Sequence, residues 1–302
     1  MPLILTLIAG ANGPRLDEAL LSRVTTNLID AGLPPSKPNW LSEGEAVDLE
    51  VPGTERDVVQ AHAAEAIEGR AIDIGVQVNT NRRKRLLIAD MDSTIIQQEC
   101  IDELADAMGL RDTVSAITER AMRGEIDFDD ALRARAKMLA GLDADAMETV
   151  YQERIKLTSG AKTLVATMRE NGALTALVSG GFTFFTGRVR ARAGFDVDQA
   201  NELLIDATGK LSGHVGEPIL GRAAKLKALN DLAAQRGLTL AETMAVGDGA
   251  NDLAMIEAAG LGVAFHAKPA VAAQADVQIT HNDLTALLFL QGYRRDEFVT
   301  PA

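Results

Sequence analysis

Apolar residues in the first 80 positions follow two different spacings. Leu3–Ile8 is a short apolar run of strand length. Leu16–Ala31 places Leu20, Leu21, Val24 and Leu28 along one side, which is helical spacing. Pro34, Pro35 and Pro38 end that helix. Asn39–Leu41 and Ala46–Val51 are placed to pair as a hairpin across Ser42–Glu45. Asp57–Glu68 reads as a second helix and Ala71–Val78 as a last strand. The order β-α-β-β-α-β predicts a ferredoxin-like unit. Asn79–Arg85, containing the basic run Arg82-Arg83-Lys84-Arg85, reads as a solvated linker.

From Leu86 the pattern changes. Leu86–Ala89, Ala173–Val178, Thr243–Val246, Gly262–Phe265 and Val277–Ile279 are short apolar runs. Helical stretches lie between them at Ala161–Glu170, Phe182–Ala193, Ala223–Arg236 and Asp252–Ala259. Such alternation predicts a parallel sheet with helices on both faces, with ligands outside the carboxyl ends of its strands. Asp90, Ser179 and Asp248 each follow a strand end and can therefore converge. Cys100–Glu153 interrupts the alternation with four helical stretches, and Glu202–Val215 reads as a β-hairpin. The tail Arg294–Ala302 reads as loose.

Composition narrows the classes. The 302 residues suggest two domains, or one with an insertion, and 47% hydrophobic residues suffice for a core. Acidic residues outnumber basic ones 43 to 30, which argues against nucleic-acid binding. No apolar run approaches about 18 residues, so no membrane span is expected, and the apolar start reads as a strand rather than a signal peptide. A single cysteine, Cys100, excludes an intrachain disulfide and fits a reducing, cytoplasmic setting. His62, His214, His266 and His281 lack metal-ligand spacing, so any metal must take oxygen ligands.

Asp90-Met91-Asp92-Ser93-Thr94 is the most informative stretch. Two carboxylates at i and i+2 past a buried strand repel, and a divalent cation or a proton relieves them. They suit a nucleophile beside a general acid/base, although an Asp-x-Asp also serves as a turn or helix cap. Gly247-Asp248-Gly249-Ala250-Asn251-Asp252 offers two further acids, either as oxygen ligands for Mg2+ or as a helix cap. Ser179-Gly180-Gly181, placed to open a helix, offers backbone N–H groups to an anion, or is an ordinary turn. By themselves, Lys225 and Arg135 read as residues of solvated helix faces.

Together, in this order at strand ends, these motifs resemble the haloacid dehalogenase-like superfamily, and more closely its phosphoserine phosphatases, from about Leu86 to Tyr293. The resemblance implies a Rossmann-like parallel sheet over 81–302 with a helical cap at about 100–155. A degenerate ACT-like domain over 1–80 precedes it. It implies Mg2+-dependent hydrolysis of O-phospho-L-serine to L-serine and phosphate, the last step of serine biosynthesis. Asp90 would be the nucleophile and Asp92 the general acid/base. Mg2+ would sit on Asp90, Asp248 and the main-chain carbonyl of Asp92, with Thr94 and Asp252 supporting. Ser179, Gly180 and Lys225 would hold the phosphoryl oxygens and Asn251 would position the substrate. Glu99 and Arg135 would take its amino and carboxylate groups between Met122 and Phe128. Phosphoryl transfer from phosphoserine to another alcohol uses the same residues and stays open, as does a homodimer. A phospho-accepting regulatory domain is disfavoured by Asp92, whereas amino-acid sensing by residues 1–80 stays open.

Overall fold

A computed structural model describes residues 2–11, 13–53 and 55–301, except the side chain of Met122. The N-terminal unit runs β1 (Leu3–Ala9), α1 (Glu18–Asp30), β2 (Asn39–Ser42), β3 (Ala46–Val51), α2 (Arg56–Ile67) and β4 (Ile72–Val78). Its antiparallel sheet has the order β2-β3-β1-β4, the ferredoxin-like arrangement that the spacing predicts. Alternation along β1 sends Leu3, Leu5 and Leu7 to the helices, where they pack with Leu20, Val24, Leu28 and Val59. Asp17 starts α1 by accepting from the Leu20 amide at 2.8 Å.

The rest of the chain runs β5 (Leu86–Ala89), α3 (Cys100–Asp106), α4 (Arg111–Met122), α5 (Phe128–Met138), α6 (Asp145–Glu153), α7 (Ala161–Glu170) and β6 (Leu174–Phe182). It continues with α8 (Thr183–Ala193), β7 (Val197–Asn201), β8 (Leu203–Ile205), β9 (Leu211–Val215), α9 (Arg222–Gln235), β10 (Thr243–Gly247) and α10 (Leu253–Ala258). It closes with β11 (Leu261–Phe265), α11 (Pro269–Ala272), β12 (Val277–Ile279) and α12 (Ala286–Leu290). A parallel sheet has the order β12-β11-β10-β5-β6-β7. Leu87 and Ala89 face one helical layer, and Leu86 and Ile88 the other. Burial on both faces explains why β5 reads as an unbroken apolar run. The direction of chain progress reverses between β5 and β10, which opens a crevice at their carboxyl ends. Helices α3–α6 form the inserted helical cap, and β8–β9 form a separate two-stranded sheet.

Three expectations need correction. The basic run is solvated only at Arg83 and Arg85, not at Arg82 and Lys84. Arg82 donates to both oxygens of Asp48 (2.6 and 2.8 Å), to Thr6 Oγ1 (2.9 Å) and to the Leu290 carbonyl (2.8 Å). Lys84 is buried and donates to the carbonyls of Ala241 (2.8 Å) and Gly260 (3.2 Å). The acceptors lie far away in sequence, so composition alone suggested solvent. With Asp73, which accepts from the amides of Thr280 and His281, the Arg82 contacts bind the free face of the first sheet to residues 280–290. The tail is not loose as far as it is described. The Val299 amide donates to Thr167 Oγ1 at 2.9 Å, and Phe298 packs on Phe289. Finally, Ser179–Gly181 do not open a helix. They are the extended end of β6, and α8 starts only at Thr183.

Candidate active site

Asp90 leaves β5 at the sheet's reversal point, and its amide donates to the Val246 carbonyl of β10 at 3.0 Å. The chain then turns at Ser93, whose φ of 54° is left-handed. That conformation costs a non-glycine residue roughly 1–2 kcal/mol. Two bonds accompany the turn: the Ser93 amide donates to the Gln98 carbonyl (3.2 Å) and its hydroxyl to Glu99 Oε1 (2.5 Å). Asp92 accepts from the Cys100 amide (2.9 Å) on one oxygen and from the Ser179 hydroxyl (3.3 Å) on the other. A Cβ on Gly181 would lie 2.6 Å from Asp92 Oδ2, so this approach requires glycine. The Gly181 amide is itself committed to Ser179 Oγ at 2.8 Å.

Lys225 is not on a solvated face. It is fully buried and joins Asp90 (2.6 Å) to Asp252 (2.5 Å). The other oxygen of Asp252 accepts from the amides of Asp248 (3.2 Å) and Gly249 (3.1 Å). Asp252 therefore holds Lys225 and the loop after β10 in place. Thr94 Oγ1 approaches Asp248 at 3.4 Å.

Asp90, Asp248 and Asp252 each bring a carboxylate oxygen within 4.8 Å of the others. Three buried carboxylates around one ammonium leave excess negative charge. Burial, then Asp252, pushes the Asp90 pKa up to about 7. Burial, then Asp252 and Asp90, lifts Asp248 well above the carboxylate range. Burial works against the Lys225 ammonium, but Asp252 and Asp90 outweigh it and raise its pKa. An oxygen-only set with surplus charge fits a hard divalent cation. Both oxygens of Asp252 are already committed, whereas Asp90 has only Oδ1 on Lys225, which leaves Asp90 Oδ2 and Asp248 as the carboxylate oxygens that could hold such a cation. Asp92 is raised above the ordinary carboxylate value, mainly by burial.

The cap closes over this floor. Asp90, Asp92, Glu99, Phe128, Arg135, Ser179, Gly180 and Asn251 share one cavity, with about 50 Å³ open to water-sized spheres. One water needs roughly 10–15 Å³ of such space, so this is a small site. Phe128 leans on two glycines. A Cβ on Gly180 would meet its ring at 2.5 Å, and one on Gly221 at 3.2 Å. Arg135, expected from its helix to be solvated, is buried and donates to Thr118 Oγ1 at 2.9 Å. Burial followed by the charge of Asp92 raises Glu99 well above its ordinary value. The side chain of Met122 lies outside the described residues.

Sequence reasoning missed Asn201. Its buried amide donates to the carbonyls of Gly180 (2.9 Å) and Leu220 (3.2 Å) and accepts from the Leu220 amide (2.6 Å). It thereby ties together the two glycine segments under Phe128. It also missed Thr118 and Asp102, whose partners lie on other turns and helices of the cap. An asparagine ending a polar strand and a threonine within a helix carry no local signal.

The arrangement has counterparts. A phosphoserine phosphatase of Streptomyces coelicolor is 42% identical over 254 residues, covering 83% of this chain and 62% of that one. One of Streptococcus thermophilus is 48% identical over 202 residues, covering 67% of this chain and 93% of that one. The crystal structure of a HAD family hydrolase from Salmonella enterica serovar Typhi superposes with a TM-score of 0.81 at 28% identity, covering 98% of this chain and 99% of that one. The chain spans about 60% of the length of the Streptomyces coelicolor and Archaeoglobus fulgidus relatives. The family model for haloacid dehalogenase-like hydrolase matches residues 87–257, a stretch that begins in β5 just before Asp90 and ends in α10 just past Asp252. By that match and those identities, the chain belongs to the haloacid dehalogenase-like hydrolase family.

Proposed function

We propose that this chain is a Mg2+-dependent phosphomonoesterase that converts O-phospho-L-serine to L-serine and phosphate through an aspartyl-phosphate on Asp90. The observation that carries the reading is the pair at the floor of the cavity. Asp90 is held by the Lys225 ammonium at 2.6 Å, and two residues on, Asp92 lines the same cavity with its pKa raised by burial. The shared name of the relatives supports the substrate.

An Asp90 oxygen attacks phosphorus as the ester P–O bond to serine breaks, and the Asp92 proton passes to the departing serine oxygen. Asp92 then takes a proton from water, whose oxygen attacks the same phosphorus. The bond to Asp90 breaks and phosphate leaves. Asp90, Asp248 and the Asp92 carbonyl would hold a divalent cation, which would supply charge neutralisation at the phosphoryl group. Lys225 adds a positive charge and Ser179 a hydroxyl there, and Asn251 positions the substrate. Glu99 faces its ammonium and Arg135 its carboxylate, beside Phe128. In this reading residues 1–80 are a separate ACT-like domain, 81–302 the phosphatase domain, and the enzyme works in the cytoplasm.

Phosphate release from a panel of phosphomonoesters, with Mg2+ and with EDTA, tests the proposal. Preference for phosphoserine and loss of turnover in EDTA are expected. Full activity in EDTA, or equal rates across the panel, overturns it.

A further inference from the structure

We infer that Thr118, held by Asp102, is a positioning residue that keeps the Arg135 guanidinium available for the substrate's carboxylate; this rests on the phosphoserine reading above. Arg135 on α5 and Asp102 on α3 are opposite charges buried in the same cap. They do not pair directly. Arg135 Nη1 donates to Thr118 Oγ1 at 2.9 Å, and Thr118 Oγ1 donates to Asp102 Oδ1 at 2.7 Å. The Val114 carbonyl, at 3.1 Å, is the longer alternative acceptor for that hydroxyl hydrogen. Ser115 donates to the second Asp102 oxygen at 2.7 Å, so both oxygens are satisfied by hydroxyls of α4.

The consequence is geometric. Arg135 Nε is spent on the Ala131 carbonyl at 3.1 Å and Nη1 on Thr118, which fixes the plane of the guanidinium. Its Nη2 has no partner among the described residues, and both Arg135 and Thr118 line the cavity. A direct, bidentate Arg135–Asp102 pair would be the stronger arrangement for the protein alone. It would also neutralise the group meant for the ligand. A hydroxyl between them accepts from the cation and donates to the anion, which orients both without closing the fork. Valine keeps the shape of threonine but removes the oxygen, leaving Arg135 held only through Nε and Asp102 short of one donor.

The test compares wild type, Thr118→Val, Thr118→Ser and Asp102→Asn on O-phospho-L-serine and on phosphoethanolamine, which keeps the amine and lacks the carboxylate. The readout is the ratio of the two kcat/KM values, with thermal melts to confirm folding. Thr118→Val should lower that ratio about 10-fold, the scale of one hydrogen bond to a charged group, chiefly through KM for phosphoserine. Thr118→Ser should restore it, and Asp102→Asn should lower it in the same direction. A folded Thr118→Val or Asp102→Asn enzyme with the wild-type ratio overturns the positioning role. So does an equal loss on both substrates, which would mark a structural residue. A wild type that shows no preference for phosphoserine overturns the substrate reading itself, and the role of Thr118 with it.

Discussion

Replacing Lys225 by Met should cost more stability than any surface change, and the cost should depend on pH. The ammonium is fully buried and sits 2.6 Å from Asp90 and 2.5 Å from Asp252. Methionine fills the volume but leaves Asp90, Asp248 and Asp252 with no cation among them. Removing one partner of a buried ion pair costs roughly 3–5 kcal/mol. Against a total stability of about 5–15 kcal/mol, that is roughly a fifth or more of the margin. The pH sign follows from Asp90, whose pKa is raised to about 7 even with Lys225 present. A carboxyl raised in the folded state contributes stability that is full below its unfolded pKa and lost as pH rises through the folded one. Without Lys225 the folded value climbs further, so the variant should lose little at pH 5, where Asp90 is protonated, and most at pH 8. Urea denaturation of both metal-free proteins at the two pH values measures this. Mg2+ should return part of the loss at pH 8, because a cation bound only by the folded state stabilises it. A difference below about 1 kcal/mol at both pH values, or a larger loss at pH 5, would refute the claim that Lys225 offsets surplus carboxylate charge.

Asp92→Asn should form phosphoenzyme but slow turnover by about 10²–10⁴-fold, the usual scale of general acid–base catalysis, as steady-state phosphate release will show. Arg82→Met should lower the urea midpoint by the equivalent of about 3–5 kcal/mol, since it strands Asp48 among buried groups of the first sheet; an unchanged midpoint would make the contact ornamental. Lys84, lowered by burial from 10.5 to about 8, carries an unfavourable charge below that pH. Wild-type stability should therefore rise relative to Lys84→Met between about pH 8 and 10.5, and parallel curves would contradict this.

Legibility in the sequence followed how local each constraint is. β5, β10 and β11 were readable because burial on both faces makes them apolar throughout. β7, Val197–Asn201, was not, because it is a half-exposed edge strand built from polar residues. The acidic clusters were readable because each motif is contiguous and ends a strand. Lys225 and Arg135 were recoverable only through family resemblance. Each lies in an unremarkable helical stretch, and its burial is imposed by Asp252 and Asp90, or by the other cap helices. Arg82 and Lys84 were misjudged for the same reason, since their acceptors Asp48, Leu290, Ala241 and Gly260 lie tens to hundreds of positions away.

The central claim is that the phosphoryl group passes through Asp90. Rapid quenching of the Mg2+-loaded enzyme with phosphoryl-labelled phosphoserine, followed by peptide mapping, tests it directly. The account predicts acid-stable label on the peptide containing Asp90, accumulation of that label in Asp92→Asn, and none in Asp90→Asn. Label on any other residue, or turnover by Asp90→Asn at the wild-type rate, would contradict it.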